Sequence, residues 1–300
     1  MWLNSRVIIN STYSIANCML YFCSAIENGG AIFASNGMID LSISRSFFLD
    51  CKCNNATGQG GSIFSSVRNC CMVYCCFRGG YSYYSPSFRD SSDLLVFNSS
   101  SITECCRKDL RGHRESFTIK GKEFLSTIIN SSNNHMNYQY STFNMAISII
   151  GVFSFFNIVK NVDYGGGASL SFYRSSYQGS YITIVENTVG TDGLLIYGIG
   201  GMATLRNLII LQRSANFSKV DYVYLKNSTD YLAIHDSFFD FPLSRFVYST
   251  LYNCINETTE PSTYIASYVQ DDVCYPANTQ KKTKRFINEV LLYMCTFLSV

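Results

Sequence analysis

A repeated glycine pair constrains this 300-residue chain more than any other feature. Gly29-Gly30-Ala31-Ile32-Phe33 returns, 31 residues later, as Gly60-Gly61-Ser62-Ile63-Phe64. A third copy, Gly166-Gly167-Ala168-Ser169-Leu170, lies inside NVDYGGGASLSF. Glycine reaches backbone conformations that a Cβ forbids, so each pair reads as a sharp corner before a strand. Ala168, Leu170 and Phe172 alternate with Ser169 and Ser171, the two-residue period of a half-buried strand. By the same register, Ala31 and Phe33, and Ser62 and Phe64, are expected on the inner face.

A second element recurs. FFNIVKN ends at Asn161, YITIVEN at Asn187 and LIILQRSAN at Asn216, at intervals of 26 and 29 residues. Asparagine tolerates the left-handed backbone and bonds neighbouring peptide groups. Asn161, Asn187 and Asn216 are therefore expected to stack at one corner of successive coils and to bond one another along the axis. One coil cannot bury its inner face alone, so copies stack about 4.8 Å apart and pair strand to strand. The period gives about ten coils.

Composition agrees. The chain is 47% hydrophobic but only 15% charged, with 22 Tyr and 22 Phe, which favours strand over helix. A net charge of +2 supplies no field to recruit nucleic acid. Thirteen cysteines are an odd total, ten of them before residue 107, with doublets at 70/71, 75/76 and 105/106. That is unlike a secreted disulfide framework, and the C-x₂-C spacing of a structural zinc site is missing. Small apolar filler in a narrow core is the expected cysteine role. Cys254 and Cys274, which flank INETTEPSTY, are the expected pair should a disulfide form.

The first residues lack the apolar core of a secretory signal, and no stretch reaches the ~18 apolar residues of a membrane helix. In the tail, Ile287, Leu291, Met294 and Leu298 recur at helical spacing, which predicts an amphipathic cap; a truncated membrane span is the alternative. The N-terminus shows no cap, so a longer parent chain is the expectation.

The GGAI at Gly29–Ile32 and GGSI at Gly60–Ile63 resemble the repeats of polymorphic outer-membrane proteins. The block FFLDCKCNNATGQGGSIF, Phe47–Phe64, is similar to the β-helix surface proteins of trichomonad protists. The resemblance implies a pectin-lyase-like, right-handed parallel β-helix on an adhesive surface protein. Handedness also follows the general crossover rule.

Catalytic constellations are weaker. The polygalacturonase pattern needs NTD, DD, GHG and a basic segment in order. Here Gln270-Asp271-Asp272 follows Arg111-Gly112-His113-Arg114-Glu115, and the other parts are missing. His235 and Asp236 are neighbours and face opposite ways on a strand, so Asp236 is expected at a corner instead. His113 and His135 are isolated. Gly198–Gly201 lacks the phosphate-loop lysine, and Lys281–Arg285 reads as a solvated basic run. Seven N-x-S/T sequons, at Asn10, Asn55, Asn98, Asn130, Asn216, Asn227 and Asn256, are expected to mark outward loops in a secreted protein.

The expectation is therefore an all-β, right-handed parallel β-helix with a short C-terminal helix. Cys-rich coils span 1–106, a charged loop 107–116, further coils 117–276 and the basic amphipathic tail 277–300. The expected role is non-catalytic: a cell-surface or extracellular face for adhesion, with glycans or surface proteins as partners. No cofactor, metal or nucleic acid is implied. A carbohydrate-active enzyme on the same scaffold is the competing reading, and a degenerate repeat fragment the third.

Overall fold

In the computed structural model, the described residues are 2–105, 117–136, 143–189, 194–211 and 223–256, apart from 4, 56, 86, 147–148, 164–167, 174, 226–230, 242 and 244–248. They form a parallel β-solenoid. The predicted C-terminal helix, the charged loop 107–116, Gly166, Gly167, Asn216 and Cys274 lie outside them. No α-helix occurs among the described residues.

One coil contributes three strands. The first belongs to a nine-stranded parallel sheet that runs from Val7–Ile9 through Ile32–Ala34, Ile63–Ser65, Phe88–Asp90 and Phe117–Ile119 to Val223–Leu225. The second and third belong to a long sheet. They are separate in early coils, as in Asp40–Ser44 and Phe47–Leu49, fused into ten-residue strands from Leu94–Thr103 to Met202–Leu211, and separate again at Tyr231–His235 and Phe238–Phe239. Phe88 pairs with Phe117, and Leu94 with Glu123, so stacking continues across the charged loop.

The core is an aromatic column. Phe48 stacks on Phe77 at 4.8 Å and 6°. Phe88 and Phe97 lie against Phe117, both at 5.0 Å, and Phe117 lies 4.5 Å from Phe143. Such rings are apolar payload with a geometric preference for offset contact. Tyr177, also buried, satisfies its hydroxyl by donating to the Met145 carbonyl at 2.9 Å.

Ala31 and Ser62 are buried as expected, but the facing expected for Phe33 and Phe64 is corrected by the register. Ile32 pairs with Ile63, and Ile63 through Phe88, Phe117 and Phe143 aligns with Leu170. Counting back two places, Ala168 holds the position of Gly30, so the third copy is offset by one residue. A slip of one reverses the face of every side chain. Ile32 and Ala34 are accordingly buried, while Phe33 turns outward and stacks on Phe64 at 5.5 Å. The Arg6 guanidinium lies 4.8 Å over the Phe33 ring. Leu170 and Phe172 do point into the core.

Candidate functional site

The corners generate the molecule's distinctive geometry. Gly29 and Gly60 have φ of +69° and +66°, and Ser85, next in register, has +52°. Gly30 has a different reason for being glycine: a Cβ there would run into the backbone carbonyls of Gly61 and Lys52.

Two further corners stack with almost no glycine. Asn17, Arg45, Tyr74, Ser99, Ile128, Phe155, Tyr181, Asn207, Asp236 and Asn253 all have positive φ and occupy one register position. Phe22, Asp50, Gly79, Glu104, Asn133, Lys160 and Glu186 form the second column. A left-handed residue other than glycine costs roughly 1–2 kcal/mol. It is held by stacking: Arg45 N–H donates to Val73 O at 3.0 Å, Asp50 to Arg78 O at 2.9 Å and Lys160 to Val185 O at 2.9 Å, each in the next coil.

The residue after each left-handed corner turns inward beside carbonyls of the preceding coil. Behind the second column these residues are Cys23, Cys51, Gly80, Cys105, Asn134, Asn161 and Asn187. The rule is shared by every member with a side-chain donor: each donates to the carbonyl one coil back that pairs with its own residue i−3. Cys51 reaches Leu20 O (3.5 Å), Cys105 Phe77 O (3.9 Å), Asn134 Ile102 O (3.1 Å), Asn161 Ser131 O (2.9 Å) and Asn187 Ile158 O (2.6 Å). The asparagines also bond along the axis. Asn161 Oδ1 accepts from the backbone N–H and the Nδ2 of Asn134, both at 2.9 Å, and Asn187 Oδ1 accepts from Asn161 N–H at 2.9 Å.

Cysteine and asparagine thus hold equivalent positions, the thiol as the weaker donor. Behind the first column Cys75 and Cys254 do the same toward Ile43 O (3.6 Å) and Ile234 O (3.5 Å). Filler is therefore an incomplete account of the cysteines. Nine of the described cysteines carry no disulfide, Cys254 among them, and Cys76 is disulfide-bonded.

Outside the first corner column lies an apolar patch. Phe155 and Tyr181 stack face to face at 4.8 Å and 3°, in consecutive coils. Tyr181 and Ile128 are each 44% exposed, and Leu125 and Val152 lie exposed beside them on the long sheet. Thr127, Ser154 and Ser180 pair in the adjoining column, lining the aromatic pair with half-buried hydroxyls.

Charges elsewhere pair across coils. Arg68 binds Asp40 through two nitrogens, at 3.0 and 2.6 Å, and holds its carboxyl below the usual carboxylate range. Arg78–Glu104, Lys122–Asp93 and Lys160–Glu186 are similar exposed pairs. Exposed pairs of this kind contribute little to stability.

The exception is Asp90, fully buried on the inner face. The N–H and Oγ of Ser92 donate to it at 3.1 and 2.6 Å, and Ser65 Oγ lies 3.2 Å from Ser92 Oγ. Burial pushes the carboxyl up to about 7, against those hydrogen bonds. Because the folded-state value is raised, the native protein keeps a proton the unfolded chain has lost. Stability is therefore greatest below about pH 4 with respect to this group and falls by about 1.4 kcal/mol per pH unit toward pH 7. Urea unfolding across that range should show the slope, and Asp90→Asn should flatten it.

The candidate chemistry does not assemble. Asp236 sits at a left-handed corner, φ +51°, and accepts from Asn253 Nδ2 at 3.2 Å, while His235 stacks on Tyr252 at 4.5 Å. Asp271, His113 and Arg111–Glu115 lie outside the described residues. No group of three His, Cys, Asp or Glu among the described residues is placed to hold a metal ion, and no described helix is long and apolar enough to cross a membrane. The sequon expectation needs correction at two positions. Asn98 and Asn130 are buried, and Asn98 Oδ1 accepts from Thr127 N–H at 2.8 Å, whereas Asn10 and Asn55 are exposed.

What fold and surface define is a parallel β-solenoid, a stacked-repeat scaffold with an exposed aromatic corner. Compared with protein-family profiles, curated proteins and solved structures, the chain finds no match.

Proposed function

We propose that the protein is a non-catalytic, right-handed pectin-lyase-like β-helix of the cell surface or extracellular space, and that it binds glycan through the face around Phe155 and Tyr181. The observation that carries this reading is the parallel, outward Phe155–Tyr181 stack, which no packing need of the core explains. The stack presents an apolar ridge of ring edges, and Ser154 and Ser180 supply hydroxyl partners in the next column. A pyranose has the same two characters, an apolar face and a hydroxyl rim. Tyrosine stacks at low entropic cost because it has few rotamers to lose.

The reading is tested by applying the purified chain to an array of defined oligosaccharides. A retained glycan class is expected, and Tyr181→Ala should weaken it about 3–10-fold, the worth of one aromatic contact. The melting transition should stay in place, since the ring is outside the core. An empty array, or full retention by a Phe155→Ala, Tyr181→Ala double variant, contradicts the proposal.

A further inference from the structure

Among the described cysteines, one pair alone is stacked directly between consecutive coils. Tyr21 pairs with Leu49 on one side and Ser24 with Lys52 on the other, which puts Cys23 opposite Cys51. Elsewhere thiols in a column are separated: Gly80 stands between Cys51 and Cys105, and Ser46 between Cys18 and Cys75. Adjacent parallel strands lie about 4.8 Å apart, inside the roughly 4.4–6.8 Å Cα separation that a disulfide spans.

The two thiols are in contact. Side-chain hydrogen bonding between them draws the Cys23 thiol below its ordinary range and raises that of Cys51. Both side chains are buried. Cys23 is covered by Leu3 and Ser5, whose carbonyls each lie 3.6 Å from its sulfur. That cover belongs to the outermost described coil, where Trp2–Leu3 pairs on one side only.

We infer that Cys23 and Cys51 form a dithiol site that closes to an inter-coil disulfide by exchange with a small-molecule disulfide. In the first step the Cys23 thiolate attacks one sulfur of the reagent, and the other sulfur leaves as a thiolate. In the second, Cys51 gives up its proton and attacks Cys23 Sγ in the mixed disulfide. The second reagent thiolate leaves, and the two protons lost by the cysteines end on the two released thiols. The protein loses two electrons, and the reagent disulfide gains them. The product ties two consecutive coils across 28 residues.

The test uses the full chain, reduced, then incubated natively with oxidised glutathione. Quenching in acid, alkylation and non-reducing digestion precede mass spectrometry. The expected product is a Cys23–Cys51 linked peptide pair, about 2 Da lighter than the sum of its reduced parts, in most molecules. Circular dichroism should keep its β signature throughout, and Cys51→Ser should leave Cys23 as the glutathione mixed disulfide. Both thiols recovered free and alkylated, or bridges scattered over Cys18, Cys53 and Cys70, would overturn the inference.

Discussion

Asn161→Ala is expected to lower the stability of the solenoid by about 3 kcal/mol, with the urea midpoint as the readout. The Asn161 carboxamide accepts two hydrogen bonds from Asn134 and donates one to Ser131 O, all at 2.9 Å and all buried. Truncation removes every partner at once and leaves donors of Asn134 without water. Each such buried group costs about 1–3 kcal/mol. The equivalence of the column members sharpens the test. Asn161→Cys restores a donor of the kind Cys105 already supplies to Phe77 O, whereas Asn161→Val fills a similar volume with none. Cys should be the milder change. Equal losses for Cys and Val would show that the position wants volume rather than a donor.

Phe117→Ala is expected to cost about 3–5 kcal/mol, the range for a buried phenylalanine whose cavity cannot collapse. Its ring joins Phe88, Phe97 and Phe143 within 5.0 Å, and it has no exposed surface. The strands that carry it are fixed by pairing on both sides, so neighbours cannot slide into the space. The outward Tyr181→Ala serves as the control and should move the same midpoint by less than about 0.5 kcal/mol. Because repeat arrays unfold in parts, a loss confined to the coils around Phe117 should appear as an early transition in hydrogen exchange.

How legible this was depends on which residues carry a rule. The spacing of 31 between the glycine pairs translates directly into the pairing of Ile32 with Ile63. The facing of Phe33 and Phe64 was misjudged because the triple glycine Gly165–Gly167 allows two alignments, and only the strand register separates them. Asn161 and Asn187 stand out at the ends of apolar runs. Asn134 does not, since it sits among polar neighbours in SSNNHMN. Cys23, Cys51 and Cys105 obey the same geometry but differ in residue type, so a search for repeated letters misses them. A search for small donors three residues beyond a core position would have found them. The left-handed corners at Ile128, Phe155 and Lys160 left no trace at all. Intrinsic preference opposes that backbone there, and only hydrogen bonds from the neighbouring coils impose it.

The central claim is that successive coils stack in register along a single axis. Spin labels on a genetically encoded residue, which spares the thirteen cysteines, measure that directly. One label at Arg45 and a second at Tyr181, Asn207 or Asp236 span five, six and seven coils of the first corner column. At about 4.8 Å per coil, the account predicts narrow distributions near ~24, ~29 and ~34 Å, rising by one equal step per coil. Broad distributions, or distances that do not rise in that order, would contradict it.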